Sequence, residues 1–127
     1  MERLLWICLA GAVGTGTRYL VSTWAARTLG VGFPWGTLIV NVAGCFLIAV
    51  VMHLALHSAA MSPTLRLTLT SGFMGGLTTY SSFNYETTKL FQDGARTVAL
   101  ANFGVTVIGC FLAGLVGLVV ARSLFGT

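Results

Sequence analysis

The segment Gly72–Phe83, GFMGGLTTYSSF, sets two adjacent glycines and four Ser/Thr hydroxyls inside an otherwise apolar stretch. These residues are poorly suited to proton transfer or nucleophilic attack and well suited to handling ions. Non-helical backbone at membrane depth persists only where protein buries it or where it lines a cavity, so the segment reads as a broken helix beside a polar pathway. Tyr80 and Phe83 stand three residues apart and share a helical face. Their electropositive ring edges could touch an anion, although an aromatic pair at this spacing is more commonly plain packing. Ser81 and Ser82 flank the pair and could donate hydroxyl hydrogens to the same ion, or bond back to helix carbonyls. Gly75 through Thr78 would present carbonyl oxygens, the ligands that hard monovalent cations favour in membrane proteins. If two chains met there about a two-fold axis, a shared cation would be structural.

Other polar residues sit inside apolar sequence. Thr37 and Asn41 are four apart, on one helical face. The Asn41 amide carries two N–H donors suited to a partly dehydrated anion, and equally to an interhelical hydrogen bond. Asn102, Thr106 and Cys110 repeat every four residues and form either a short polar track or local helix–helix bonds. Arg18 lies deep in the first apolar stretch, where a charge costs at least ~2.5–3.5 kcal/mol. It either draws anions to a vestibule, holds helix-end carbonyls, or snorkels to an interface. Glu86, Lys89 and Asp93 have the spacing of an interfacial ion-pair row, with Glu86 a weaker candidate for pore depth. His53 and His57 are four apart and too few for a metal site; they read as interfacial packing. Cys8, Cys45 and Cys110 all fall in apolar sequence without metal-ligand spacing and read as small membrane-buried side chains rather than disulfides.

The elements that must position these residues follow from composition. The chain is 56% hydrophobic and 8% charged, against roughly a quarter charged in ordinary soluble domains. Six of its ten charges fall outside four largely apolar stretches, 4–26, 35–57, 65–92 and 97–121, each longer than the ~20 residues that span a bilayer. The expected fold is therefore an all-α membrane protein with four transmembrane helices in a single domain, 1–127, the third helix broken near 75–79. Only short connections remain, at Gly30–Pro34, Ser58–Pro63 and Asp93–Arg96. The first stretch is too long for a cleavable signal peptide and lacks its small-residue cleavage site. The net charge of +4 is spread singly along the chain, which argues against a nucleic-acid partner. Arg3, Arg66 and Arg122 would share one side of the membrane, and Arg27, Lys89 and Arg96 the other. Orientation follows an excess of Lys and Arg. Here there is no excess, so the chain could insert both ways and pair as an antiparallel dual-topology homodimer. Gly109, Ala113, Gly117 and Ala121 form a small-residue row of the kind that lets helices approach closely in lipid, and would support a tight oligomer.

The three polar motifs resemble those of the Fluc (CrcB) fluoride channels. Gly75–Phe83, GGLTTYSSF, is similar to that family's third-helix signature; Gly36–Gly44, GTLIVNVAG, to the second-helix signature with its pore asparagine; and Gly11–Tyr19, GAVGTGTRY, to the first-helix signature ending in Arg-Tyr. The resemblance covers essentially the whole chain. It implies a passive fluoride channel of the bacterial inner (plasma) membrane, an antiparallel homodimer with two pores, and a central sodium ion on the backbone carbonyls of Gly75 and Thr78. It further implies that Asn41 donates to fluoride, that Tyr80 and Phe83 form the constriction near Ser81, and that Arg18 stands near a vestibule. Ser82, Thr37 and Thr106 complete the candidate pore. The family signature has phenylalanine at the position of Tyr80, so the added hydroxyl would either slow conduction or become a ligand. Cys110 and Gly114 also depart from the more hydroxylated last helix of that family. The main alternative is a small dual-topology proton-coupled cation or drug exporter, which needs a carboxylate deep in the membrane; the first span has none and Glu86 is a poor substitute. A purely structural assembly subunit would account for the glycine rows but not for the hydroxyl-rich break. No paired carboxylates, nucleophile–base pair or metal cluster suggests an enzyme.

Overall fold

Proline and glycine punctuate a chain that is otherwise free to coil. The computed structural model describes residues 1–59 and 61–126, and all the regular elements among them are helical. Helix α1 runs from Glu2 to Thr28 and ends before Gly30, whose φ of +90° suits a residue without Cβ. Pro34 is the N-cap of α2, Trp35–His57. Ser62 caps α3, Pro63–Leu67, by accepting the Leu65 N–H at 3.1 Å, with Pro63 in the first turn where its missing donor is harmless. The last helix, α6, is Arg96–Phe125.

The third span is assembled from pieces. After α3 comes a π-helical segment, Thr68–Met74, then α4, Gly75–Leu77, two extended residues, and α5, Tyr80–Gln92. Thr68 and Thr70 donate their hydroxyls back to the carbonyls of Thr64 and Arg66, each at 2.8 Å. Such back-bonding competes with the α-helical ladder, and the ladder widens to the π pattern at this point. The wider turn still pairs backbone groups internally, as a lipid setting demands. Thr78 (φ −84°, ψ 155°) and Thr79 (φ −153°, ψ 112°) then leave helical geometry altogether.

Among the described residues, three helices, α1, α2 and α6, are long and apolar enough to cross a membrane. The third span is a bent succession whose longest piece, α5, has 13 residues.

Two helix pairs hold the arrangement together. The first is α1 against the π segment and α4, at backbone contact. A Cβ on Gly14 would strike the Phe73 carbonyl and come 2.9 Å from the Leu77 nitrogen, and one on Gly76 would strike the Gly11 carbonyl. The second pair is α2 with α6, and here the Gly109–Ala121 row finds its use. Gly117 lies on the Phe46 carbonyl and Ala121 is fully buried. The row expected to support an oligomer thus packs within the chain, because α2 presents its own close-approach surface there. Little apolar side-chain bulk is buried (Val40, Met74, Leu77 and Phe83 among it), whereas large apolar residues such as Leu20, Leu100 and Phe111 face outward.

Candidate functional site

The break is built on one amide. Asn41, on α2 and buried, donates Nδ2–H to the Thr79 carbonyl at 3.0 Å and accepts the Thr79 N–H on Oδ1 at 2.7 Å. This reciprocal pair satisfies both backbone groups of a residue outside any helix, and only one orientation of the amide does so. In a continuous helix the Thr79 N–H would close on the Gly75 carbonyl; given to Asn41, it leaves that oxygen without its helical donor. Gly44, one turn further along α2, lies against the Thr78 methyl, so α2 approaches the break closely.

Thr79 is also the N-cap of α5. Its Oγ1 accepts the Ser82 N–H at 3.1 Å, donates to Ser82 Oγ at 3.0 Å and meets Ser81 Oγ at 3.3 Å. The two serines thus bond to the cap rather than back to helix carbonyls. Thr78 donates Oγ1–H to the Met74 carbonyl at 2.9 Å, closing the end of α4.

Asn41, Gly75, Thr78, Tyr80, Phe83 and Thr106 border one cavity of about 400 Å3, and among the described residues no charged side chain lines it. The ring centroids of Tyr80 and Phe83 are 5.7 Å apart in an edge-on arrangement. The two differ sharply in setting, since Phe83 is buried and stacks on Phe103 at 6.2 Å, while Tyr80 is 78% exposed. Behind Phe83 runs a buried relay. Thr106 donates to Asn102 Oδ1 at 3.3 Å, Asn102 donates to Thr87 Oγ1 at 2.8 Å, and Thr87 donates to the Phe83 carbonyl at 2.7 Å. Asn102 therefore ties α6 to α5, while Thr106 steadies Asn102 from within α6 and stands at the cavity wall.

Thr37 is not with Asn41. Although the two share a face of α2, Thr37 donates to Glu86 Oε1 at 2.8 Å and lines a second cavity, about 360 Å3, with Lys89 and Asp93 at its edge. The expected Glu86–Lys89–Asp93 row is corrected accordingly. Lys89 pairs with Asp93 at 3.0 Å on the surface, while Glu86 turns inward to Thr37, its other oxygen buried without a hydrogen-bond partner among the described residues. Arg18 is half-buried on α1 and lines neither cavity. His53, expected at an interface, is buried and donates Nε2–H to the Gly126 carbonyl at 2.7 Å; His57 donates Nδ1–H to the His53 carbonyl at 3.0 Å.

Sequence reasoning missed Thr79 as the hub and Thr87 as a relay member. Thr is a favoured residue type just before a helix start, and Thr87 lies one turn beyond Phe83, so both left a trace in the sequence.

Comparison with known proteins gives a consistent result. The model of the family described as CrcB-like protein, Camphor Resistance (CrcB), matches residues 5–118. A protein named fluoride-specific ion channel FluC from Anaeromyxobacter sp. (strain K) is 52% identical over 126 residues, covering 99% of this chain and 100% of its own. Proteins of the same name from Sorangium cellulosum (strain So ce56) and Citrifermentans bemidjiense are 51% and 46% identical over 124 residues. They cover 98% of this chain, and 98% and 100% of their own length.

Proposed function

The chain belongs to the CrcB-like family, and on that premise we propose that it is a passive, fluoride-selective channel rather than an enzyme. In this reading it releases cytoplasmic fluoride down its electrochemical gradient across the bacterial inner membrane. The observation that carries the proposal is the Asn41 amide. One N–H is fixed on Thr79, and the second remains beside a cavity without fixed charge. Fluoride is small and strongly hydrated, so its path must offer hydrogen-bond donors as water leaves. Neutral amides and hydroxyls supply these without the tight hold of a buried cation, and a conducting site must bind weakly enough to release.

In this scheme Asn41 donates, Thr106 forms part of the cavity wall, and the edges of Tyr80 and Phe83 narrow the path. Ser82, whose oxygen accepts from Thr79, keeps its own hydroxyl hydrogen for an ion, and Ser81 stands beside it. Thr37 shares its approach with Glu86, and Arg18 attracts anions to the entrance. The driving force is the inside-negative membrane potential, about 2.3 kcal/mol per charge for each 100 mV. Hydrogen fluoride enters uncharged and dissociates in a near-neutral cytoplasm, so the trapped anion has a standing reason to leave.

The exposure of Tyr80 and Gly75 beside the break supports an antiparallel homodimer in which a second chain covers them. The freed Gly75 carbonyl and that of extended Thr78 fit a hard monovalent cation. A structural sodium ion there, held by both chains, would offset carbonyl dipoles that face one another. The exporter reading loses support, because Glu86 is held by Thr37 away from the Asn41 cavity and the relatives above are named as ion channels.

The test is fluoride efflux from potassium fluoride-loaded liposomes with valinomycin, run beside chloride-loaded liposomes. Fluoride release without chloride release is the expected result. Equal release of both anions, or none from this chain and from its Tyr80→Phe variant alike, would overturn the proposal.

A further inference from the structure

Two of the three cysteines are neighbours across the α2–α6 interface, and the hydrogen-bond network of the site uses neither. The helices run close there. A Cβ on Gly114 of α6 would lie 3.8 Å from the Cys45 carbonyl, and one on Gly109 would lie 3.8 Å from Val42 Cγ2. That register sets Cys110 alongside Cys45, and both side chains line the same two cavities. Both are half-buried. Together they stand between the cavity that Asn41 lines and another of about 590 Å3 that extends along α2 and α6 toward Arg122. Cys8 is exposed on α1 and borders neither.

We propose that Cys45 and Cys110 form a two-coordinate site for a soft, thiophilic metal ion of linear geometry. Thiolate sulfur selects soft ions over hard ones, and a linear ion needs only two ligands, where zinc needs about four. Among the described residues no group of three or more His, Cys, Asp or Glu could hold a metal, so this pair excludes the ions that demand a fuller shell. Taking Hg2+ as the probe, the step balances without oxidant or reductant. Two S–H bonds break, two S–Hg bonds form, and two protons leave to water. The product is neutral, and a neutral complex suits a low-dielectric setting that disfavours isolated charge. Cys45 lies one turn from Asn41, and Cys110 one turn from Thr106. A metal bridge would therefore clamp α2 to α6 beside the donors of the proposed fluoride path, and its effect on transport rests on that reading.

The test uses purified full-length chain carrying Cys8→Ala, titrated with Hg2+ while metal–thiolate absorbance, free thiols and released protons are followed. The expected result is one Hg2+ per chain, simultaneous loss of both thiols, about two protons released, and no binding of Zn2+ at the same concentration. Adding Cys45→Ala or Cys110→Ala should weaken Hg2+ binding at least 100-fold while the chain elutes and melts as before. Two Hg2+ per chain, or single-thiol variants that bind as tightly as the pair, would overturn the site. In liposomes, Hg2+ should lower fluoride flux at least tenfold in the Cys8→Ala chain, reversibly with a dithiol chelator, but not in Cys45→Ala/Cys110→Ala. Metal binding with undiminished flux would overturn the link to the path. A chain without flux bears on the channel reading alone, and the binding isotherm still decides the site.

Discussion

Asn41 has both a structural and a proposed conductive duty, and substitutions can separate them. Replacing it with alanine strands a buried N–H and a buried C=O of Thr79. Leaving such groups unpaired costs about 1–3 kcal/mol, so Asn41→Ala should lower the thermal stability of the detergent-solubilised chain and abolish fluoride flux together. Asn41→Asp keeps an acceptor for the Thr79 N–H but sets a carboxylate against the Thr79 carbonyl and removes the free donor. It should lose flux as completely while restoring part of the lost stability. An Asn41→Asp chain with substantial flux would show that the amide donor is dispensable. Tyr80 gives the opposite contrast. Tyr80 is 78% exposed within the chain and the substitution removes one hydroxyl alone, so Tyr80→Phe should leave the stability of the single chain within about 0.5 kcal/mol. Any change in flux would then report the hydroxyl on the ion path, through a faster rate if it obstructs or a slower one if it acts as a ligand. Equal rates would sink both roles.

At the scale of elements, the crossing of α1 over the broken span depends on glycine for contact rather than for backbone freedom. Gly14→Ala would drive a methyl into the Phe73 carbonyl and the Leu77 backbone. Overpacking of this kind costs about 1–3 kcal/mol, and here the obstacle is backbone, which yields least. Gly16, two residues on, meets nothing within 4 Å, so Gly16→Ala should be neutral or stabilise by up to about 1 kcal/mol. Matched unfolding curves would check the pair; equal effects would mean that the crossing is looser than described. The same elements show what the sequence could carry. Helix ends were legible from Pro34, Pro63 and Gly30 because those residues act locally, and the kink was legible from adjacent glycines followed by two threonines. The π segment was not, because Thr68 and Thr70 reveal their back-bonds only once their rotamers are known. The divergence of Thr37 and Asn41 was hidden for another reason. Both lie on one face of α2, but the facing chain changes from helix to two extended residues between them, so one meets Glu86 and the other the Thr79 backbone. The small-residue row of α6 announced close packing without naming its partner, since α2 and a second chain would look alike from α6.

At the scale of the molecule, a single chain buries little of what it would bring into a membrane. Of the apolar windows of α1, α2 and α6, 6%, 28% and 11% of residues are buried within the chain. That leaves wide surfaces for lipid and for the proposed second copy. The charge tie expected of four spans, which would put Arg3, Arg66 and Arg122 on one side and Arg27, Lys89 and Arg96 on the other, gives this proposal a direct test. Because orientation responds to Lys and Arg near the membrane ends, two added lysines should commit every chain to one direction. Ala59→Lys with Ser123→Lys would weight one side, and Val31→Lys with Thr97→Lys the other; all four positions are exposed. If the working unit is antiparallel, each doubly substituted chain alone should insert uniformly, as read by an impermeant thiol reagent on a cysteine placed in a connecting loop of a cysteine-free background. Each should then lose at least nine-tenths of its fluoride flux. Co-expression of the two should restore flux, because each supplies the orientation that the other lacks. Full activity from either chain alone, once its single orientation is verified, would mean that opposed chains are unnecessary and that the exposed break around Tyr80 is covered in some other way.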